Sequence, residues 1–203
     1  MGNPDLDRWN ARFDTADYVF GKAPNAFLAR QAAGLAPGRA LCVADGEGRN
    51  GVWLAERGWE VLSLDFSPVA QQKAAALAAR RGVALRLEQG DVHGWSYPEA
   101  AFDLVADIFS QFSAPQERAR KWQGMRRALR PGGHLIVQGY TPAQLRHRTG
   151  GPSQVENLYT PDLLRGAFAD LRILHLEERE EDLHEGAGHS GLSAVIGMVA
   201  VKG

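Results

Sequence analysis

Two apolar rhythms alternate along the chain. Short apolar runs bounded by turn residues predict buried strands at Ala40–Ala44, Glu60–Asp65, Val83–Glu88, Phe102–Phe109 and His134–Gly139. Between them, apolar residues recur at helical spacing. The helix predicted from Asn50 to Arg57 turns Val52, Leu54 and Ala55 toward the sheet, and Gly58 stops it. Ser67-Pro68 supplies a cap and a first-turn proline for a helix running to Arg81, with Val69, Ala70, Ala74, Leu77 and Ala78 along one face and Gly82 at its end. Ser113 and Pro115 open a third, with Ala119, Trp122, Met125 and Leu129 as its stripe, broken by Arg130-Pro131-Gly132-Gly133. Ahead of the first strand, Pro24 and Asn25 start a helix to Ala33. Residues 5–35 form an arm rich in rings: Trp9, Phe13, Tyr18, Phe20 and Phe27.

The strand–helix alternation predicts a parallel sheet covered on both faces, with ligands beyond the carboxyl ends of the strands. Residues 140–159 read as a long loop with a short helix around Ala143–His147, and Thr160-Pro161 caps a helix carrying Leu163, Leu164, Ala167 and Phe168. The last two strands, Leu171–Asp182 and Ser190–Lys202, have no helix between them and therefore pair antiparallel.

Candidate chemistry clusters after the first strand. Gly46 and Gly48 allow a tight turn that a ligand can touch, and the following helix start favours an anionic group. Asp65 ends the next strand, where an acid can hold ribose hydroxyls. Asp45, Asp91 and Asp107 also fall at or just after strand ends. The spacing Gly46-x-Gly48-x-x-Gly51 fits a dinucleotide fingerprint as well, so these residues alone leave the nucleoside cofactor open.

Composition narrows the class. The 203 residues are 44% hydrophobic and 23% charged, as in a globular chain with a substantial core, and the formal net charge of −1 lacks the basic excess of a polyanion-binding protein. Cys42 is the only cysteine, so no intrachain disulfide forms. The polar start Met1–Asp5 lacks a leader-like apolar core, and no run of 18 apolar residues occurs; a cytoplasmic protein without a membrane span is expected. His184-Glu185-Gly186-Ala187-Gly188-His189 has one residue too many for the helical zinc-protease motif, and no metal site is expected. Glu177, Glu178, Glu180, Glu181 and Asp182 read as a solvated strand face.

The ordered set of motifs resembles class I S-adenosylmethionine (SAM) methyltransferases, closest to the small tellurite-resistance and thiopurine methyltransferase-like group. The resemblance rests on Asp45-Gly46-Glu47-Gly48-Arg49-Asn50, Val61–Asp65 with Phe66-Ser67-Pro68, Gln89-Gly90-Asp91-Val92, Phe102–Val105 with Asp107 and Phe109, and Leu129–Gly133. It extends to Trp9…Pro24-Asn25, Thr149–Pro152, Leu158–Thr160 and Glu185…His189. It implies one Rossmann-like domain over 1–203, with a seven-stranded, mostly parallel sheet, helices on both faces and a C-terminal antiparallel hairpin. The implied cofactor contacts are Tyr18, Ala44, Asp45, Gly46, Gly48, Asn50, Asp65, Phe66, Ser67, Gly90, Asp91, Val92, Asp107, Ile108 and Phe109. Asp65 is expected at the ribose, Asp91 and the Val92 N–H at the adenine, and Ile108 and Phe109 at the methyl.

Asp107, His189 and Arg146 are the expected catalytic or substrate-orienting residues, and Arg148 a second anion handle. Tyr18 is the expected lid residue of the arm. The implied partner is a small-molecule methyl acceptor such as a tellurium or selenium oxyanion or a thiol, used by a monomer or homodimer. A nicotinamide-dependent oxidoreductase and a non-catalytic SAM-binding protein are the alternatives. Two positions depart from the family pattern: Cys42 where an acid is usual, and Ala44 where a glycine is usual. Asp45 is the candidate replacement for the missing acid.

Overall fold

The computed structural model describes residues 4–203; the reading of the extreme N-terminus as leaderless rests partly on residues 1–3, outside the described residues. Seven strands form one sheet among the described residues: β1 (Arg39–Val43), β2 (Glu60–Asp65), β3 (Arg86–Gln89), β4 (Phe102–Ile108), β5 (Leu129–Tyr140), β6 (Leu171–His184) and β7 (Ser190–Lys202). Their spatial order is β3-β2-β1-β4-β5-β7-β6. The first five run parallel, while β7 enters antiparallel to both β5 and β6. This is the expected mostly parallel sheet with a closing antiparallel hairpin.

Among the described residues seven α-helices accompany it: α1 (Pro4–Phe13), α2 (Ala26–Ala32), α3 (Arg49–Ala55), α4 (Pro68–Arg81), α5 (Pro115–Ala128), α6 (Gln144–His147) and α7 (Pro161–Ala167). Local chemistry fixes several ends. The Ser67 hydroxyl accepts the Ala70 N–H at the start of α4, and Gly82 closes it in the left-handed region at φ 69°. Asn25 caps α2 through the Leu28 N–H, and Thr160 caps α7 through the Leu163 N–H.

Side chains alternate across the strands, so the sheet carries a core on each face. Leu41, Val43, Val105, Leu135 and Val137 meet Trp122 and Met125 of α5, with Tyr97 and Phe168. Ala40, Cys42, Leu104, Ala106 and Ile136 meet Phe27 and Leu28 of α2, with Leu54 and Trp59.

Several boundaries differ from expectation. Helix α1 was not anticipated. Strand β3 begins at Arg86 rather than Val83 and lies at the sheet edge. Ala119 is exposed; α5 instead buries Arg118, Lys121, Trp122, Met125 and Ala128, because the long stems of Arg118 and Lys121 reach inward. Ser113 does not cap α5: the Ala114 N–H donates to Glu117, while the Ser113 hydroxyl pairs with His93. No helix among the described residues is long and apolar enough to cross a membrane.

Candidate functional site

The β1–α3 turn is built from backbone that most residues avoid. Ala44, Gly46 and Gly48 all have positive φ, at 51°, 58° and 82°. Ala44 therefore sits in the left-handed region where the sequence departs from glycine, with the strain that a Cβ brings. The turn is tied down by two buried acids. Asp65 accepts the Gly46 N–H on one oxygen and the Ser67 N–H on the other, each at 2.8 Å. Asp45 turns inward, accepting the Gly51 N–H at 3.3 Å and the Ser63 hydroxyl at 2.8 Å. Burial raises the carboxyls of both, Asp45 to about 7. Asp45 thus ties the turn together and, with Asn50, also lines the cavity that follows, and Gly51 is small because a Cβ there would lie 2.5 Å from an Asp45 oxygen.

Beyond this turn lies a cavity of about 270 Å³. Its floor carries Ala44, Gly46, Asp65, Phe66, Asp91 and Val92 at the carboxyl ends of β1–β3. The Val92 N–H has no partner among the described residues. Ile108, Phe109 and Ser110 follow from β4, with Phe109 at φ 54°. Trp9 and Phe13 of α1, with Phe20, line it from the arm and form its roof.

The roof is pinned by the same turn. Lys73 of α4 pairs with Glu47 at 2.5 Å and donates to the carbonyls of Phe13, Thr15 and Asp17. Glu47 accepts the Phe20 N–H, and Asn50 accepts the Asn25 N–H. Arg49 pairs with Glu185 of the β6–β7 turn at 2.7 Å, and Asn25 donates to both Glu185 and Gln138. Arg49 lines the cavity, is nearly fully buried, and has an Nη1 without a partner among the described residues.

His189, from the β6–β7 turn, also lines the cavity. Its ring stacks on Phe20 and Phe109 at centroid distances of 4.6 and 4.4 Å, and its Nδ1 lies 2.5 Å from the Tyr140 hydroxyl. Burial, with the Arg49 and Arg12 guanidinium groups nearby, lowers its pKa to about 3, so the ring is neutral at ordinary pH.

The structure does not bring every expected residue to the cavity. Asp107 is fully buried behind it, paired with Lys121 at 3.2 Å and accepting from Trp122 Nε1 at 3.1 Å and from the Ser110 hydroxyl. Burial lowers the Lys121 ammonium, against the pull of Asp107. Arg146 and Arg148 are exposed around α6, away from the lining. Tyr18 faces α4, donating to the Lys73 carbonyl at 2.8 Å. Gly48 does not line the cavity either; its missing Cβ admits Ala74, whose Cβ would be 2.6 Å away. Ser67 and Gly90 support the lining from behind, through the α4 cap and the packing of Leu64 and Trp95. Arg49, Glu47, Phe13, Phe20 and Phe112 were not singled out for the site. Glu47 and Arg49 lie in the glycine turn and Phe13 and Phe20 among the arm's rings, whereas Phe112 follows the carboxyl end of β4, where position alone is the signal.

Residues 40–133 match the family model described as a methyltransferase domain. The demethylmenaquinone methyltransferase of Deinococcus radiodurans is 33% identical over 116 residues, 56% of this chain and 48% of that protein. The chain spans between 40% and 53% of the length of the curated relatives it matches. Among solved structures, the N-methyltransferase NodS of Bradyrhizobium japonicum WM9, in complex with S-adenosylhomocysteine, superposes with a TM-score of 0.75 at 14% identity over 98% of this chain and 99% of that one. TehB of Haemophilus influenzae gives 0.73 at 16% identity over 98% and 67%. The fold is the α/β methyltransferase fold.

Proposed function

We propose that the protein is a SAM-dependent methyltransferase acting on a small-molecule acceptor, as a monomer or homodimer. The observation that carries this reading is Asp65. Its oxygens accept the Gly46 and Ser67 N–H groups, one each, with the Phe66 N–H also close, and the carboxylate lines the cavity with acceptor capacity left for the two ribose hydroxyls of a nucleoside. Val92, with its unpartnered N–H, and Asp91 at the cavity rim suit an adenine edge. The unpartnered Nη1 of Arg49 suits the carboxylate of an amino-acid tail. A ligand with adenine, ribose and a methionine tail matches all of these donors and acceptors.

When bound, SAM supplies an activated methyl on a sulfonium. The chain's part is to align the acceptor and exclude water, for which the ring-lined roof over the cavity is suited. The rings also offer π faces to a cationic sulfur. Asp107 acts from behind this wall, holding Ser110 and the end of β4 through Lys121 and Trp122.

The likeness to TehB supports placing the chain near the tellurite-resistance and thiopurine methyltransferase-like group, which would make a tellurium or selenium oxyanion or a thiol an acceptor to assay. The nicotinamide alternative fares worse. In a dinucleotide fold with order 3-2-1-4-5-6 no antiparallel strand stands between the fifth and the last, whereas β7 does here. The third glycine of the fingerprint is also accounted for by Asp45.

Isothermal titration calorimetry with SAM, S-adenosylhomocysteine and NADH tests the reading. Saturable one-to-one binding of SAM and its demethylated product is expected. Saturable NADH binding, or no SAM binding by folded protein, would overturn it.

A further inference from the structure

The cavity changes character along its length. Its floor at β1–β3 carries carboxylates and main-chain groups. Rings line the rest: Phe13 lies over Gly46, Trp9 and Phe112 stand beside His93, which bonds Asp91, and Phe20, Phe109 and His189 stack together at the end away from Asp91. Trp9 meets Phe112 edge-on at 5.8 Å, and His189 lies between Phe20 and Phe109 with interplanar angles of 28° and 30°. Arg8 pairs with Asp5 at 3.1 Å, and Arg49 pairs with Glu185 and, in the SAM reading, gives its remaining Nη1 to the amino-acid carboxylate; Arg12 is not among the lining residues and lies over the faces of Trp9 and Phe20 at 5.6 and 5.2 Å. Asp5 and Glu117 add negative charge to the lining. This end is poorly built for a free oxyanion and well built for a flat ring.

His189 adds one directed polar group. The buried Tyr140 hydroxyl has Nδ1 of His189 as its sole acceptor among the described residues. Reversing that bond would bury the tyrosine proton without an acceptor, at a cost of roughly 1–3 kcal/mol. Tyr140 therefore donates, Nδ1 is unprotonated, and the ring's hydrogen sits on Nε2. No bond to a described residue engages Nε2, and the ring lines the cavity. Tyr140 is itself held in place: a Cβ on Gly150 or Gly151 would come within 2.8 or 2.7 Å of it.

We infer that the methyl acceptor is a planar aromatic compound bearing a hydroxyl group, held against these rings with its oxygen accepting a hydrogen bond from His189 Nε2–H. The inference rests on the SAM reading of the cavity floor. In the transfer, an oxygen lone pair forms the O–CH3 bond as the CH3–S bond breaks. The bonding pair goes to sulfur, which leaves as a neutral thioether, and the hydroxyl proton passes to water. His189 touches the acceptor as a donor and does not take that proton. Tyr140 is a positioning residue that sets its tautomer.

The test offers the protein 1-naphthol, sodium tellurite and 2-mercaptoethanol in turn, with methyl-labelled SAM, while SAM binding is measured separately by calorimetry. Methylated 1-naphthol is expected, formed at least tenfold faster than product from the other two. Phe20→Ala, which removes one of the rings stacked on His189, is expected to raise the KM for 1-naphthol about tenfold. If SAM binds but tellurite or the thiol is preferred, or if 1-naphthol is neither bound by the S-adenosylhomocysteine-loaded protein nor methylated, the acceptor inference is wrong while the cofactor reading stands. If SAM does not bind, the cofactor reading itself fails. Nitrogen-15 NMR of labelled histidine separately reads the tautomer. The Nε2–H form is expected for His189, with loss of that preference in Tyr140→Phe, and an Nδ1–H form in the parent protein would contradict the assigned roles.

Discussion

Asp45 and His189 are buried titratable groups that pull stability in opposite directions with pH. The Asp45 carboxyl is raised by burial to about 7, so the folded chain holds that proton to higher pH than the unfolded chain. Its contribution is complete below the ordinary carboxylate range and is lost as pH rises through 7. His189 is lowered by burial to about 3, and its contribution is lost as pH falls from about 6.5 toward 3. Between about pH 5 and 8 the two nearly cancel. Asp45→Asn is expected to leave a protein that loses about 2 kcal/mol on acidification over that range, and His189→Gln one that loses about as much on alkalinisation. Urea unfolding midpoints at the two pH values check this, and equal slopes in both variants would contradict it. At Ala44, relief of left-handed strain outweighs the added chain entropy of glycine, so Ala44→Gly should gain up to about 1 kcal/mol in the same assay. The turn acids and glycines were legible because they act on neighbours close in sequence. The partners of Glu47 and Arg49 were not, because Arg49 meets a carboxylate 136 positions further on, which only the folded hairpin brings near.

Helix α3 is held against α4 by the absence of a side chain. Gly48 has a φ of 82° and faces Ala74, so Gly48→Ala adds both backbone strain and a clash. A loss of about 2–3 kcal/mol is expected, read as a lowered thermal midpoint. Helix α5 is joined to β4 by the fully buried pair Lys121 and Asp107. Removing one partner, as in Lys121→Met, should cost about 3–5 kcal/mol, whereas Lys121→Met with Asp107→Leu should recover much of that. A double variant no more stable than the single one would mean that the pair's remaining bonds, from Ser110 and Trp122, dominate. At this scale the strands and α4 could be read from period and caps. The stripe of α5 could not, since two charged residues share its buried face. Helix α1 is legible in principle, because Leu6, Trp9 and Phe13 recur at i, i+3 and i+7 with acids in the first turn; what the sequence does not show is that its rings find their partners in the assembled site.

Across the whole molecule, the glycine turn is the point at which both ends of the chain meet. Glu47 and Asn50 hold the N-terminal arm, Arg49 holds the C-terminal hairpin, and Asn25 with Glu185 joins the two across the cavity. The cavity's roof is therefore made by segments that precede β1 and follow β5, and its rings come from both. The sequence resemblance pointed to the floor residue by residue. It could not choose among Asp107, Arg146 and His189, because which of them reaches the cavity depends on how the arm and hairpin close. In the proposed complex the ribose of SAM sits on Asp65, its adenine at Asp91 and Val92, its carboxylate on Arg49 and its sulfur toward the Phe109–His189 wall. A crystal structure with S-adenosylhomocysteine measures all four placements at once. The account predicts both ribose hydroxyls within hydrogen-bonding distance of the Asp65 carboxylate and the amino-acid carboxylate on Arg49; a nucleoside bound elsewhere, or with its sulfur turned away from the ring-lined end, would contradict it.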